Sequence, residues 1–370
     1  MKSTLQISNS QKISTSLFFF VVVATQIGVG IHGFQRVVVK DASNDAWISV
    51  ILATIFSHIV VFVMIKTLEL FPSNDLYGIH QEIFGKYIGN FLNLIYVLYC
   101  SFAFYSVIKN YIEVINTWVF QNLSQSFITI TLLLLVIYAF SGGLRIMIGV
   151  CFFSFFTGLW ILIILFMPLE FAHYNHILPI FKNDLTSILK GAYSMTFTIV
   201  GFEIINVLYP FAKEKNNVQK YVHLGLLFTL FIYLSVMLVT IVYFSENQLD
   251  RTVWATLTLF SVVKLPFIER IEIIIICFWM MIILPNLCLF SWAAYRGINR
   301  IKKLRETTFI WLFCILIFFA NIPIQSRIQI DKANHLFAQI AFCIVYIYPF
   351  LLYIMALIKK MLFKNWERSN

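Results

Sequence analysis

The sequence predicts an all-α polytopic membrane protein with ten transmembrane helices, and three observations carry that prediction. Hydrophobic residues make up 60% of the 370 positions and charged residues only 12%, with a mean hydropathy of +0.86, whereas soluble domains keep about a quarter of their residues charged. Apolar stretches recur at the roughly 20-residue length that a helix needs to cross hydrocarbon. Basic residues are scattered between these stretches rather than gathered on one face. No soluble domain, low-complexity linker or acidic tail interrupts the pattern, so residues 1-370 read as a single integral membrane domain.

Taken in order, the expected spans fall near 13-38, 44-70, 86-118, 125-141, 145-168, 185-209, 220-244, 267-295, 307-323 and 334-358. The first follows two lysines, Lys2 and Lys12, as a signal peptide would. Its apolar run continues without a small-residue cleavage site, so it reads as a retained helix. His58 stands alone in span two and reads as an interhelical hydrogen-bond donor. The link 245-266 is the longest without a span, and its middle is amphipathic enough for a helix on the membrane surface. Glu269, Arg270 and Glu272 open span eight, where they suit interface anchoring or a salt bridge. Between spans eight and nine lies RGINRIKKLR, which sets the orientation: lysine and arginine collect on the cytoplasmic side, and ten spans leave both termini there. The formal net charge of +10 is therefore topology, and no nucleic-acid partner is expected. The six cysteines sit in apolar runs without a C-x-x-C pair and read as small core residues.

Two spans carry a polar interruption. Span one contains TQIGVGIHGF, which breaks at Gly28-Val29-Gly30, and span six contains SMTFTIVGFEIINVLYPF, with Gly201 followed by Glu203. Each is the first helix of one five-helix half, 13-168 and 185-358, as in transporters built from inverted repeats. An interrupted helix leaves backbone groups without partners, which hydrocarbon tolerates only where they face a cavity or a ligand. Half-helix N-termini suit a carboxylate, and freed carbonyls suit an ammonium or a cation. The plainer reading is that these are packing glycines. Glu203 is the most deeply placed ionisable residue. It suits a proton site, a counter-charge for a substrate amine, or a structural hydrogen bond to the unwound backbone of span one. Thr25, Gln26, Ser194, Thr196 and Thr198 cluster at the breaks, while His32 lies towards the outer end of span one, where it can meet water. No P-loop, G-x-S-x-G, H-E-x-x-H or carboxylate cluster occurs, so no enzyme activity, metal or cofactor is expected.

The order and spacing of QIGVGI, GFEIINVLYPF with Pro210 and the lysines after it, and IERIEIIIICFW resemble the B-subunit family of spore nutrient germinant receptors, within the amino acid-polyamine-organocation transporter superfamily. The resemblance covers residues 10 to 360. It implies a leucine-transporter-like 5+5 inverted repeat with broken helices one and six, in the spore inner membrane. It also implies a subunit that binds a small nutrient such as an amino acid and triggers germination with an A subunit and a lipoprotein C subunit. Matched by position, Thr25, Gly28, Gly30, Thr198, Gly201 and Glu203 would line the ligand pocket, with Tyr96, Tyr99 and Asn286 added from spans three and eight. His32 and Arg36 in IHGFQR depart from the small and apolar residues that usually follow this break. The alternatives are a proton- or sodium-coupled amino acid or amine permease and, in a third class, a membrane scaffold without a ligand.

Overall fold

A computed structural model of the chain describes residues 7-8 and 11-369, with side chains up to residue 362; Lys2, expected on the cytoplasmic side, lies outside the described residues. Among them there is helix throughout and no strand. α1 (Leu17–Gln26) ends at the expected break, a 3-10 turn (Val29–His32) leads into α2 (Phe34–Ala42), and α3 (Ala46–Leu70) follows. Next come α4 (Leu76–Trp118), α5 (Gln125–Ser141) and α6 (Gly143–Leu165). α7 (Leu185–Ile199) ends at the second break, after which a 3-10 turn (Phe202–Ile204), α8 (Ile205–Leu208) and another turn (Tyr209–Phe211) complete the element. α9 (Val218–Tyr243), the short α10 (Glu246–Arg251) and α11 (Ala255–Val262), and the long α12 (Ile271–Ile301) come after it. α13 (Glu306–Asn321), α14 (Arg327–Ala341), a π-helical turn (Phe342–Ile347) and α15 (Tyr348–Ser369) close the chain.

Among the described residues, six helical stretches are long and apolar enough to cross a membrane, Phe34–Leu70, Leu76–Trp118, Gly143–Phe171, Lys215–Tyr243, Ile271–Ile301 and Arg327–Leu362, and the bent pair Leu185–Ile199 with Phe202–Phe211, taken as one span, makes a seventh. α1, α5 and α13 are apolar but only 10-17 residues long, below the roughly 20 that span hydrocarbon unaided. A hydropathy window measures apolar length and is blind to the backbone. It joins α1 to α2 across a break, and it separates α2 from α3 where the helical run continues.

α4 shows the same limit. Gly85 takes φ +81, ψ 176 and folds the turn 76-84 back along the helix that starts at residue 86. Gln81 donates to Asn90 at 2.6 Å, and Asn93 donates to the Tyr77 carbonyl at 3.1 Å. The expected start of span three at residue 86 coincides with this kink.

α1 packs between α6, α9 and α12, while α7 packs on α2 and α3. Gly225 lets α9 approach α1 closely, since a Cβ there would stand 2.9 Å from Val22 Cβ. Before α1, Ile13 N donates to the Phe211 carbonyl at 2.9 Å, and Lys213 N donates to the Ile13 carbonyl at 3.0 Å. The entry to the first broken helix is thus tied to the exit of the second.

Two expectations change. The link 245-266 does not lie on the membrane surface: Ala255, Leu257 and Leu259 are fully buried, and the Thr256 hydroxyl donates to the Ile31 carbonyl at 2.8 Å. α11 therefore caps the turn that follows the first break. Cys277 and Cys343 are exposed on the apolar exterior, not in the core. His58 makes the interhelical hydrogen bond expected of it, to His223 in α9, at 2.7 Å between their Nδ1 atoms.

At the second break Val200 is extended and Gly201 takes φ +127, a region that side-chain-bearing residues avoid, and the helix bends by 53°. A Cβ on Gly201 would overlap the Thr25 carbonyl. Gly201→Ala is therefore expected to cost about 2 kcal/mol or more, from strain and overpacking together. Thermal unfolding in detergent measures this, with Gly149→Ala, where a Cβ meets open space, as the neutral comparison.

Candidate functional site

The two breaks meet. Thr25 and Gln26 at the end of α1 lie against Gly201, and the Gln26 side-chain amide donates to the Ile199 carbonyl at 2.7 Å. Gly30 faces Thr198, whose Cγ2 would lie 3.2 Å from an added Cβ. Gly28 has nothing within 4 Å of the corresponding position, so this side of the break is open.

The freed carbonyls are held by side chains from other helices. Asn286 on α12 donates to the Ala24 carbonyl at 2.8 Å and to the Ile27 carbonyl at 3.2 Å. The Tyr233 hydroxyl on α9 sits between the Gln26 and Thr198 carbonyls, at 2.9 and 3.2 Å. One residue thus touches both breaks. Asn286 is expected from the sequence; Tyr233 is not. Its signal was a single buried phenol in an otherwise apolar stretch of span seven, indistinguishable by pattern from a packing aromatic.

Glu203 is 1% exposed. One carboxyl oxygen accepts from the Gly201 amide at 2.7 Å and the other from the Tyr99 hydroxyl at 2.5 Å, while Tyr96 donates to the Glu203 carbonyl at 3.1 Å. Of the three roles read for Glu203, a structural bond is present, but to the unwound backbone of its own helix instead of that of span one. The carboxyl caps the restarted half-helix, where an N-terminal amide needs an acceptor.

The nine expected residues fall into contacts of different kinds. Gly201, Glu203, Tyr96 and Tyr99 form one group; Thr198 and Gly30 touch; Asn286 reaches span one alone. The Thr25 hydroxyl turns back onto its own helix, donating to the Val21 carbonyl at 2.8 Å, so only its backbone faces the second break. Thr196 bonds the Tyr193 carbonyl, and Ser194 bonds Asp41, away from the break. His32 does not meet water: it is fully buried, with both ring nitrogens unpartnered, and its ring packs 4.3 Å from that of Trp279. Arg270 and Glu272 form a salt bridge at 2.8 Å.

An apolar cavity of about 70 Å³ adjoins the last turn of α1, and none of the nine lines it. A smaller one of about 10 Å³ is lined by Tyr96 and Asn206 among others, room for about one water.

Long apolar helices, two of them interrupted where they face each other and closed by polar side chains, define a polytopic helical membrane protein. The sequence profile of the family described as spore germination protein matches residues 12–330. The chain is 32% identical over 343 residues to spore germination protein GerQB of Bacillus cereus, covering 93% of this chain and 95% of that one. It is 23% identical over 358 residues to spore germination protein B2 of Bacillus subtilis (95% and 97%) and 22% over 300 residues to YndE of the same species (80% and 83%). The chain belongs to the spore germination protein family, the resemblance read from its sequence, and is a germination-related membrane protein.

Asn286→Leu removes the donor from two buried carbonyls and is expected to cost about 1–3 kcal/mol. Glu203→Gln keeps an oxygen for the Gly201 amide and is expected to stay within about 1 kcal/mol of the parent, whereas Glu203→Leu loses about 2 kcal/mol or more. Unfolding of the purified variants compares the three directly.

Proposed function

We propose that this chain is the membrane subunit of a nutrient germinant receptor, binding a small nutrient such as an amino acid where its two broken helices meet. The convergence of the breaks carries this reading. Gln26, Asn286, Tyr233 and Glu203 satisfy the freed backbone groups named above, yet Gly28 faces open space beside them. A small ligand entering there meets polar backbone at membrane depth, where such groups bind best. In this reading the halves 13-168 and 185-358 form the ten-span, leucine-transporter-like repeat, with both termini cytoplasmic in the spore inner membrane. The ligand is contacted by Thr25, Gly28, Gly30, Thr198, Gly201 and Glu203, with Tyr96, Tyr99 and Asn286 in support. An A subunit and a lipoprotein C subunit complete the receptor. The family membership and the germination names of its relatives support a sensor over a permease.

Gly28 offers a clean test, because its φ of −124° suits any residue and a side chain there displaces no protein atom. Spores carrying Gly28→Leu are expected to assemble the protein normally while needing about tenfold or more nutrient to germinate. The gene deletion should abolish the response to that nutrient alone. Unchanged germination of the deletion across a panel of amino acids, sugars and nucleosides would sink the reading. Proteoliposomes should show no concentrative uptake of the active nutrient under a proton or sodium gradient.

A further inference from the structure

The cavity beside α1 has walls from α6, α9, α11 and α12 as well as from the broken helix, on a different side from the contacts that join the two breaks. Ala24 and Ile27 form its α1 wall, Phe228 its α9 wall, and Trp279 and Ile282 its α12 wall, while Leu159 of α6, 36% exposed, stands where it meets the apolar exterior. Two hydroxyls reach it, and both are engaged, Ser154 donating to the Cys151 carbonyl and Thr256 to the Ile31 carbonyl, while the indole N–H of Trp279 in its wall is buried without an acceptor. No charged residue lines it. An apolar void of this kind does not hold water, and at about 70 Å³ it is smaller than the ~150 Å³ cavity that accepts a benzene ring. It suits the flexible end of a saturated chain.

We propose that this cavity is a lipid site, which takes the terminal carbons of a phospholipid acyl chain from the bilayer through the seam between α6 and α9. The occupant is chosen by continuity. Phe153, Phe156 and Ile163 on α6 and Leu224, Leu227 and Phe231 on α9 are exposed, so the surface around the seam is the one that faces lipid. The chain end then packs on Ala24 and Ile27, the last turn before the break, so that occupancy bears on the geometry of span one. The proposal is independent of the nutrient reading.

The test is photo-crosslinking of the intact protein in liposomes, using phosphatidylcholine with a diazirine at the end of one acyl chain. Crosslinks to the wall peptide around Trp279 and Ile282 are expected, besides those to exterior positions such as Trp311. Gly158 lines the cavity, and an added Cβ there meets only the Ile282 side chain, at 3.6 Å from Cδ1 and 4.0 Å from Cγ1. Gly158→Phe should fill the void and lower the wall crosslinks about tenfold, the effect of removing one or two buried methylenes' worth of contact, with the exterior crosslinks unchanged. Should Gly158→Phe fail to fold, Ile282→Phe serves the same purpose from α12. Wall crosslinks that are absent, or that persist unchanged in a folded, filled variant, overturn the proposal.

Discussion

Backbone amides and carbonyls cannot be left bare in hydrocarbon, and every feature of the central region answers to that constraint. Two helices stop within the apolar bundle, so carbonyls of residues 24, 26, 27, 198 and 199 and the amide of residue 201 need side-chain partners. The fold supplies them as Asn286 from α12, Tyr233 from α9, Gln26 from the opposite break and, for the amide of residue 201, Glu203 of the same broken helix. The bundle around the breaks is arranged so that these side chains arrive together. Tyr233 and Gln26 each join one broken helix to the other, so neither break can rearrange without disturbing its partner.

The ends of the broken helices are coupled as well. The backbone pairing of Ile13 with Phe211 and Lys213 ties the start of span one to the end of span six. α11, docked by Thr256 on the Ile31 carbonyl, covers the turn after the first break. Each broken helix is therefore in direct contact with the segments that flank the other or cover its turn. The receptor role proposed above requires such coupling, since ligand binding shifts a conformation only through contacts that differ between its states.

Much of this was legible in the sequence. Apolar runs located the helices, and Gly28 and Gly201 located both breaks, because glycine in paired positions half a chain apart is a backbone signal as well as a packing one. Asn286 and Glu203 were legible because polar groups at membrane depth are costly enough to require a role. Other features had no such mark. Tyr233 looked like any aromatic, and the fold-back at Gly85 lay inside a continuous run. The burial of His32 and α11 depends on which face meets protein. In helices that are apolar all round, because protein covers one side and lipid the other, hydrophobic periodicity does not tell those faces apart. The direction of the Thr25 hydroxyl and the apolar cavity are products of rotamers and helix tilt, which periodicity does not encode.

The most direct measurement of the central claim is a double-mutant cycle between Gln26→Leu and Tyr233→Phe, read from reversible unfolding of the purified protein. These two side chains hold neighbouring carbonyls, Ile199 and Thr198, and Tyr233 also holds that of residue 26. If the breaks are held by one shared network, the losses are coupled and the interaction energy is about 1 kcal/mol. Effects that add within roughly 0.3 kcal/mol would contradict the account, leaving two independent kinks that merely lie side by side.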